Sequence, residues 1–275
     1  MIALIHSLNV LLPLVYGFSL LGYADSFRTG DARAAGRAST ALAVGVLLHA
    51  VYLVLRGIAF AHFPITHFLE SFSMIAFCVA AIHLVVERRV QEGNTGVFFG
   101  GIVFGFQLVS SMFLEDRREV HPLLSNPLFG IHTTLTLVGV AALATSAVHG
   151  TLYLMLSKNI RRHRFGVIYD RLPPLDTLEG MARSAIKIGL VVLGAGILLG
   201  HLWAQRTLGT FLPIDAKVLT TDALWIAYVA GFLAVRRLGW AGLRMGHFTV
   251  WAFVGYFAAM VVLNTLVASF HRFEV

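Results

Sequence analysis

Apolar runs of helix length, separated by short charged loops, dominate the sequence. A membrane-spanning helix needs about 20 consecutive apolar residues. The runs that reach this length lie at residues 2–23, 39–58, 66–86, 96–114, 128–156, 181–204, 218–235 and 246–270. The pattern predicts an all-α integral membrane protein, a bundle of about eight transmembrane helices that forms a single polytopic membrane domain over residues 1–275.

The composition supports this prediction. Hydrophobic residues make up 57% of the 275 positions and charged residues 13%, whereas a soluble domain is usually about 45–50% apolar and about 25% charged. Little of the chain is left for a sizeable domain outside the membrane. The apolar amino terminus has no basic segment before it and no cleavage site, so we expect it to be a first span rather than a cleaved signal peptide.

The basic residues fall mainly on one side of the predicted bundle. The net charge is +7, and fifteen of the 21 Lys and Arg residues lie in or beside the first, third, fifth and seventh connections. In a soluble protein this excess would be typical of nucleic-acid binding, but here it follows the loops. Since positive loops stay in the cytoplasm, we expect these connections inside, both termini outside and no nucleic-acid partner.

Several enzyme classes are excluded by what the chain lacks. Cys78 is the single cysteine, so the chain has neither a disulfide, nor a Cys-x-x-Cys pair for dithiol chemistry, nor a Cys-x-x-Cys-His motif for covalent haem. The sequence contains no Ser, His and Asp set, no phosphate-binding glycine loop and no paired carboxylates. We therefore expect no catalytic residues.

Polar and small residues inside or beside the runs predict local structure. Asp176 and Glu179 have the spacing of a capping box, which predicts a helix start there. Glu70 and Arg56 lie at a similar level of the bilayer, and we expect them to pair because an unpaired charge there would be costly. Small residues at four-residue spacing predict close helix packing in the sixth run: Gly196, Gly200 and Ala204.

Twelve histidines are many for a membrane protein, and a rise of about 1.5 Å per residue gives their heights. His149 lies 17 residues after His132, about 25 Å deeper, so these two cannot share a site. The outer half is predicted to hold His6, His49, His62, His67, His121, His132, His201 and His271. The inner half is predicted to hold His83, His149, His163 and His247.

A single membrane histidine is usually satisfied by a backbone carbonyl or a lipid headgroup, but a set of them permits other chemistry. Neutral imidazole is a good axial ligand for haem iron. Outward cations that could meet haem propionates are Arg117, Arg118, Arg206 and Lys217. A proton relay would use the same histidines, and a site for a bare metal ion is less favoured because acidic and thiolate ligands are missing at suitable spacing.

The chain from about Gly130 onward carries a series of motifs in a fixed order. In sequence these are His132, LPPLDTLEG at 172–180, Gly200 with Trp203 and Ala204, the loop at 208–218, Trp225 with Tyr228, Trp240 with Gly242, and His271. Together with HFPITHFLESF at 62–72, this order resembles the cytochrome c assembly protein family of CcsA, CcmC and HemX-like haem-handling membrane proteins.

The resemblance has departures that favour one branch of the family. The family's outer loop is rich in tryptophan, but leucine or isoleucine stands at its three tryptophan positions: Leu208, Leu212 and Ile214. Gly209, Asp215 and Lys217 of that loop are kept. The histidine that many members carry near the end of the penultimate span is replaced by the segment Phe232, Leu233 and Ala234. The pattern is closer to the HemX-like branch.

The resemblance implies a haem-handling protein of cytochrome c biogenesis in the bacterial inner membrane, which holds or presents non-covalent haem b near the outer face. It implies His132 and His271 as iron ligands. Further residues expected around the haem are Gly209, Asp215, Lys217, Trp203, Trp225 and His201. A second biogenesis subunit or a larger membrane complex would be needed for haem attachment. The main alternative is a scaffold or regulatory subunit of a larger respiratory or biogenesis complex that no longer binds haem; a transporter and an unrelated membrane enzyme are weaker alternatives.

Overall fold

The computed structural model describes residues 1–65, 68–90, 93–114, 116 and 126–266, and all the regular structure in these ranges is helical. The helices are α1 (Ile2–Thr29), α2 (Ala32–Phe60), α3 (Phe68–Val90), α4 (Gly96–Phe113), α5 (Pro127–Arg161), α6 (Val167–Arg171), α7 (Leu175–Leu208), α8 (Ala216–Arg237) and α9 (Leu243–Leu266).

Seven of these helices are long and apolar enough to cross a membrane: α1 to α5, α7 and α8. This confirms the prediction of an all-α integral membrane protein. The short helix α6 lies in the long connection between α5 and α7. Helix α9 covers most of the eighth apolar run but is not among these seven helices. That α9 is an eighth span therefore stays a prediction. The single membrane domain over residues 1–275 also stays a prediction.

The helices extend beyond the apolar runs. Helix α5 has 35 residues and α7 has 34, so each is about 50 Å long against a hydrocarbon thickness of about 30 Å. The extra turns are charged, because Lys and Arg are good helix formers and outside the hydrocarbon they can be solvated. At the start of α5, the Asn126 side chain accepts a hydrogen bond from Leu128 N at 2.9 Å, which caps the helix.

The predicted capping box at Asp176 and Glu179 is wrong. Helix α7 begins one residue earlier than Asp176, at Leu175, and Pro174 occupies the cap position. The Glu179 carboxylate instead lies 2.7 Å from Arg183 Nη2 and accepts a hydrogen bond from Gly242 N at 2.6 Å. Glu179 therefore joins α7 to the turn between α8 and α9.

Helices α1 to α4 form the N-terminal unit, and its core is built from large fully buried side chains such as Leu12, Tyr16, Tyr52 and Phe99. Helix α1 packs on α2 and α4, and α3 packs on α4. Small residues allow some of these contacts: a Cβ on Gly45 would lie 2.8 Å from the Tyr16 ring.

Helices α5 and α7 make the most extensive helix–helix contact in the described chain. A Cβ on Gly139 of α5 would lie 2.6 Å from Leu193 N, and a Cβ on Gly189 of α7 would lie 2.7 Å from Leu143. A Cβ on Gly196 would lie 2.9 Å from the backbone N of Thr136. The predicted close packing of the sixth run is confirmed, and α8 and α9 pack beside this pair.

The four basic connections lie together at one end of the bundle, which we call the basic end. Arg171 of α6 contacts Gly30 between α1 and α2, and Arg183 of α7 donates a hydrogen bond to Trp240 O at 2.7 Å. The helices that end here carry basic last turns, with Arg28 in α1, Arg88 and Arg89 in α3, Lys158 and Arg161 in α5, and Arg236 and Arg237 in α8. We call the other end the opposite end; that the basic end faces the cytoplasm stays a prediction.

Candidate functional site

A cavity of about 380 Å³ lies in the C-terminal part of the bundle near the opposite end, among α5, α7, α8 and α9. Its volume is in the usual range of small-molecule pockets. Most of its lining is apolar, and its polar side chains include His132, Thr136, His201, Lys217 and Asp222. We call it the opposite-end cavity.

His132, one turn inside α5, lies on the wall of this cavity. Its ring packs on α7 where Gly200 has no side chain; a Cβ there would lie 2.6 Å from His132 Cε1. His132 Nδ1 lies 2.7 Å from the carbonyl oxygen of Gly196. A carbonyl only accepts, so Nδ1 is the donor, and in a neutral ring Nε2 keeps its lone pair. Iron- and zinc-ligating histidines are commonly fixed by such a bond from the other ring nitrogen.

The structure brings His201 and Lys217 to the same cavity. His201 Nε2 lies 3.2 Å from Asp222 Oδ2, which connects α7 to α8, and the His201 ring lies 5.2 Å from the Phe211 ring between centroids. Lys217, in the first turn of α8, is half-buried and puts a cation on the wall. The cavity therefore combines imidazole, ammonium and carboxylate groups.

The two predicted tryptophans have different surroundings. Trp203 is buried on the cavity wall against Phe129, with 5.4 Å between ring centroids, and its Nε1 has no hydrogen-bond partner among the described residues. An unpaired buried donor is costly, and because Nε1 is itself buried it is not exposed to the cavity. Trp225 donates from Nε1 to Leu190 O at 2.9 Å, packs against Gly194 and does not line the cavity.

Gly209 and Asp215 shape the loop that leads to the cavity. Gly209 ends α7 with a φ of 75°, a left-handed conformation that favours glycine. The Asp215 carboxylate accepts hydrogen bonds from Lys217 N at 2.9 Å and Val218 N at 3.2 Å, so it caps α8. Neither residue lines the cavity. Asp215 acts on the site by fixing the turn that carries Lys217.

The three positions at which the family resemblance would place tryptophan do not line the cavity. Leu208, Leu212 and Ile214 are exposed, and Ile214 is 96% exposed. The predicted second ligand, His271, lies outside the described residues. Its place relative to His132 stays a prediction.

Several cavity residues were not predicted from the sequence. Asp222 is the one carboxylate within the seventh apolar run, and that isolation was a usable signal for a partner such as His201. Tyr256 and Met260 of α9 also line the cavity, and the Thr221 hydroxyl lies 3.9 Å from Met260 Sδ. Nothing in the sequence distinguished them from lipid-facing residues.

No group of three or more His, Cys, Asp or Glu side chains that could hold a metal ion occurs in the part of the chain that the structure describes. Of the described donors in the cavity, His201 and Asp222 form a pair, but no third donor joins them. A haem brings four ring nitrogens of its own and needs only one or two protein ligands, so its demands differ from those of a bare ion.

Comparisons with known proteins agree on a family. The family model described as cytochrome C assembly protein matches residues 38–271. Protein HemX of Brevibacillus brevis is 26% identical over 226 residues, 82% of each chain, and Protein HemX of Bacillus subtilis (strain 168) is 25% identical over 218 residues, 78% of each. Cytochrome c biogenesis protein CcsA of Mesostigma viride is 24% identical over 251 residues, 82% of each.

The match covers most of the chain and begins well before Gly130, where the recognisable motifs start. The matched range also includes most of α2 and all of α3 and α4, together with the segment at 62–72 that resembles the family before Gly130. The relatives include two HemX proteins, which confirms the predicted HemX-like branch of the family. The chain is a multi-pass membrane protein that belongs to the cytochrome c assembly protein family, and this membership supports a role in cytochrome c assembly.

Proposed function

We propose that the protein acts in cytochrome c assembly by holding haem b non-covalently in the opposite-end cavity, with His132 as an axial ligand. The observation that carries the proposal is the hydrogen bond from His132 Nδ1 to Gly196 O. This bond leaves the lone pair of Nε2 to bind iron, in a ring that lies beside the cavity. That tautomer is the one an iron ligand needs. The apolar remainder of the lining suits a porphyrin.

One further group suits the acidic edge of a haem. Lys217 supplies a positive charge on the cavity wall, which would pair with a propionate carboxylate. The contact between His201 and Asp222 would close the side of the cavity that lies between α7 and α8.

The second axial ligand is an open choice between three residues. His271 is the residue that the family resemblance implies. Met260 lines the cavity with a thioether sulfur, and His201 lines it with a ring whose Nε2 is engaged by Asp222. Iron with two imidazoles and iron with imidazole and thioether differ in spectrum and in reduction potential, so the pair can be identified.

The chain's part in haem attachment is positioning. Attachment needs reduced iron and reduced apocytochrome thiols, and the single thiol of this chain, Cys78, is buried in the N-terminal unit. A second biogenesis subunit would supply the thiol chemistry. We place the protein in the bacterial inner membrane with both termini and the opposite-end cavity on the outer side, as the positive-inside rule directs.

Haem reconstitution tests the proposal. The full chain in detergent is titrated with haem b, and the Soret band and the pyridine haemochrome give affinity and stoichiometry. We expect about one haem per chain, and a loss of binding of about 100-fold or more, at least 2.7 kcal/mol, in His132→Ala. His149→Ala is the matched control, because His149 lies on the same helix about 25 Å away.

Added imidazole separates ligand loss from misfolding. If His132 is an iron ligand, free imidazole restores a six-coordinate spectrum in His132→Ala. An unchanged spectrum and affinity in His132→Ala would overturn the assignment. Single variants His271→Ala, Met260→Ala and His201→Ala then identify the second ligand as the one whose loss gives a five-coordinate iron.

A scaffold that no longer binds haem is the second candidate function, and one observation favours it. Leu208, Leu212 and Ile214 expose apolar side chains around the outer loop instead of lining the cavity. Such a surface suits contact with another membrane subunit. In that case the protein would purify without colour, fail to bind added haem and co-elute with the same partner in mild detergent.

A further inference from the structure

A second cavity, of about 560 Å³, lies at the basic end, far from His132. It is formed by the turn between α1 and α2, the end of α3, the turn before α4, and α6. Small residues of α2, Ala32, Ala35 and Gly36, leave the space open, and a Cβ on Gly36 would meet no atom within 4 Å. We call it the basic-end cavity.

The basic-end cavity includes a buried carboxylate, Glu87, which is 7% exposed. Glu87 Oε2 accepts a hydrogen bond from the Tyr23 hydroxyl at 2.6 Å and lies 3.2 Å from His83 Nε2. The other oxygen, Oε1, lies on the side of Gly93, where a Cβ would be 3.4 Å away. A buried carboxylate is costly without a neighbouring positive charge, so this part of the cavity favours a cation with N–H donors.

Further lining residues carry both signs of charge. Arg171 of α6 contacts Gly30, and its Nη2 donates a long hydrogen bond, 3.5 Å, to Arg28 O. Arg88 and Asp170 are exposed on the same cavity. A guanidinium presents paired N–H donors that match the oxygens of a phosphate. The cavity thus combines a buried negative group with guanidinium groups that are more accessible to solvent.

We propose that the basic-end cavity binds an aminoalkyl phosphate, a zwitterion whose primary ammonium contacts Glu87 and whose phosphate contacts Arg171 and Arg88. The buried carboxylate selects an ammonium that still carries N–H groups, and the guanidinium groups select the phosphate. The headgroup of phosphatidylethanolamine and free phosphoethanolamine share this chemistry. This site is independent of haem binding at the opposite end.

Lipid binding by the purified full chain tests the site. Native mass spectrometry measures binding of phosphatidylethanolamine, of phosphatidylcholine, whose ammonium has no N–H, and of phosphatidylglycerol, which has no ammonium. We expect phosphatidylethanolamine to bind about tenfold or more tightly than either of the others. Free O-phosphoethanolamine is added as a competitor: competition points to a soluble ligand, and its absence points to the lipid.

Variants separate the two contacts. Glu87→Gln should abolish the preference for phosphatidylethanolamine over phosphatidylcholine, whereas Arg171→Gln should weaken both phosphates alike. Gly36→Leu fills the cavity without touching Glu87, so it should abolish binding while the melting temperature is kept. Arg164→Gln is the control, because this exposed arginine of the same connection does not line the cavity.

Two outcomes would overturn the proposal. Equal binding of phosphatidylethanolamine and phosphatidylcholine by the unaltered chain would show that Glu87 does not select an ammonium. Undiminished binding in Gly36→Leu would show that lipid associates elsewhere on the surface.

Discussion

The N-terminal unit and the C-terminal cavity both bury polar side chains near the opposite end, but they satisfy them differently. In the N-terminal unit, His49 uses both ring nitrogens, Nδ1 with the Tyr16 hydroxyl at 3.0 Å and Nε2 with Ser73 Oγ at 2.9 Å. Ser73 in turn donates to Gln107 Oε1 at 3.0 Å. In the cavity, His132 uses only Nδ1, and Trp203 Nε1 has no partner among the described residues.

This difference separates histidines that hold a fold from histidines that are available to a ligand. A buried imidazole with two protein partners has no free donor or acceptor, so His49 is structural even though it lies in the predicted outer half. His132 is in the same predicted half, but its second ring nitrogen, beside a cavity, has no hydrogen-bond partner among the described residues. Counting histidines by height could not distinguish the two cases, whereas their hydrogen bonds do.

Breaking the buried ion pair of the N-terminal unit should have the largest effect. Arg56 Nε lies 3.0 Å from Glu70 Oε1, and both side chains are buried, which confirms the predicted pairing. Arg56→Met leaves the carboxylate without its cation and should cost about 3–5 kcal/mol. Cys78 is the single thiol and is buried, so its labelling by a maleimide dye on heating reports unfolding.

The double variant Arg56→Met with Glu70→Gln removes both charges and should recover much of this loss. Arg33→Gln, which changes an exposed arginine of the same helix, is the control. A melting temperature unaffected by Arg56→Met would mean that the polar side chains of the N-terminal unit do not determine its stability.

Crowding the His132 ring should have the next largest effect. In Gly200→Ala the new Cβ lies 2.6 Å from His132 Cε1, so the ring or α7 must move, at a cost of about 1–3 kcal/mol. We expect haem affinity to fall about tenfold or more. Gly180→Ala on the same helix meets no atom within 4 Å and is the matched control. Equal haem affinity in the two variants would argue against His132 as the ligand.

Removing the cap of α8 should have a smaller effect, and it distinguishes support from contact. Asp215→Ala removes two hydrogen bonds to backbone N–H groups and should cost about 1 kcal/mol of stability. Asp215→Asn keeps an acceptor oxygen and should restore most of it. Asp215 does not line the cavity but holds the turn that carries Lys217, so haem affinity per folded molecule should fall only about twofold, far less than in His132→Ala, measured by titration alongside thermal unfolding.

The smallest effect on stability should come from lowering the pH, through protonation of Asp116. Partial burial raises the pKa of Asp116, but hydrogen bonds from His6 at 2.7 Å and Arg56 at 2.9 Å, with the charge on Arg56, outweigh it and hold the pKa below its usual range. The stabilisation is present above the unfolded pKa of about 3.9 and is lost as the pH falls through the lower folded value. Asp116 is part-exposed, so the contribution is modest.

A pH series of melting temperatures in the unaltered chain and in Asp116→Asn checks this sign. The difference between the two proteins should be constant at neutral pH and should shrink below about pH 4. A difference that grows with acid would contradict the assigned direction.

The helices were predictable because hydrocarbon thickness dictates the length of an apolar run, and this constraint is local. Helix ends were less predictable: α5 and α7 continue through charged turns that hydropathy alone assigns to loops. The capping box failed at Glu179 because its partners, Arg183 and Gly242, come from packing as well as from local spacing.

The site was predictable only in part. His132, His201 and Lys217 line one cavity and Trp225 packs elsewhere, while the haem contacts that the resemblance implies for these residues stay predictions. In a membrane both faces of a helix are apolar, so hydrophobic periodicity does not indicate which face turns inward. For the same reason Met260 could not be distinguished from a lipid-facing residue.

The paired helices α5 and α7 have a fixed combined length that the surrounding lipid cannot change. Neither helix has a proline within its interior, and their glycine contacts leave no room for one to slide past the other. Tilting alone cannot hide about 50 Å of helix in about 30 Å of hydrocarbon. A thinner bilayer would therefore leave more turns of α5 and α7 outside the hydrocarbon, and a thicker bilayer would leave fewer.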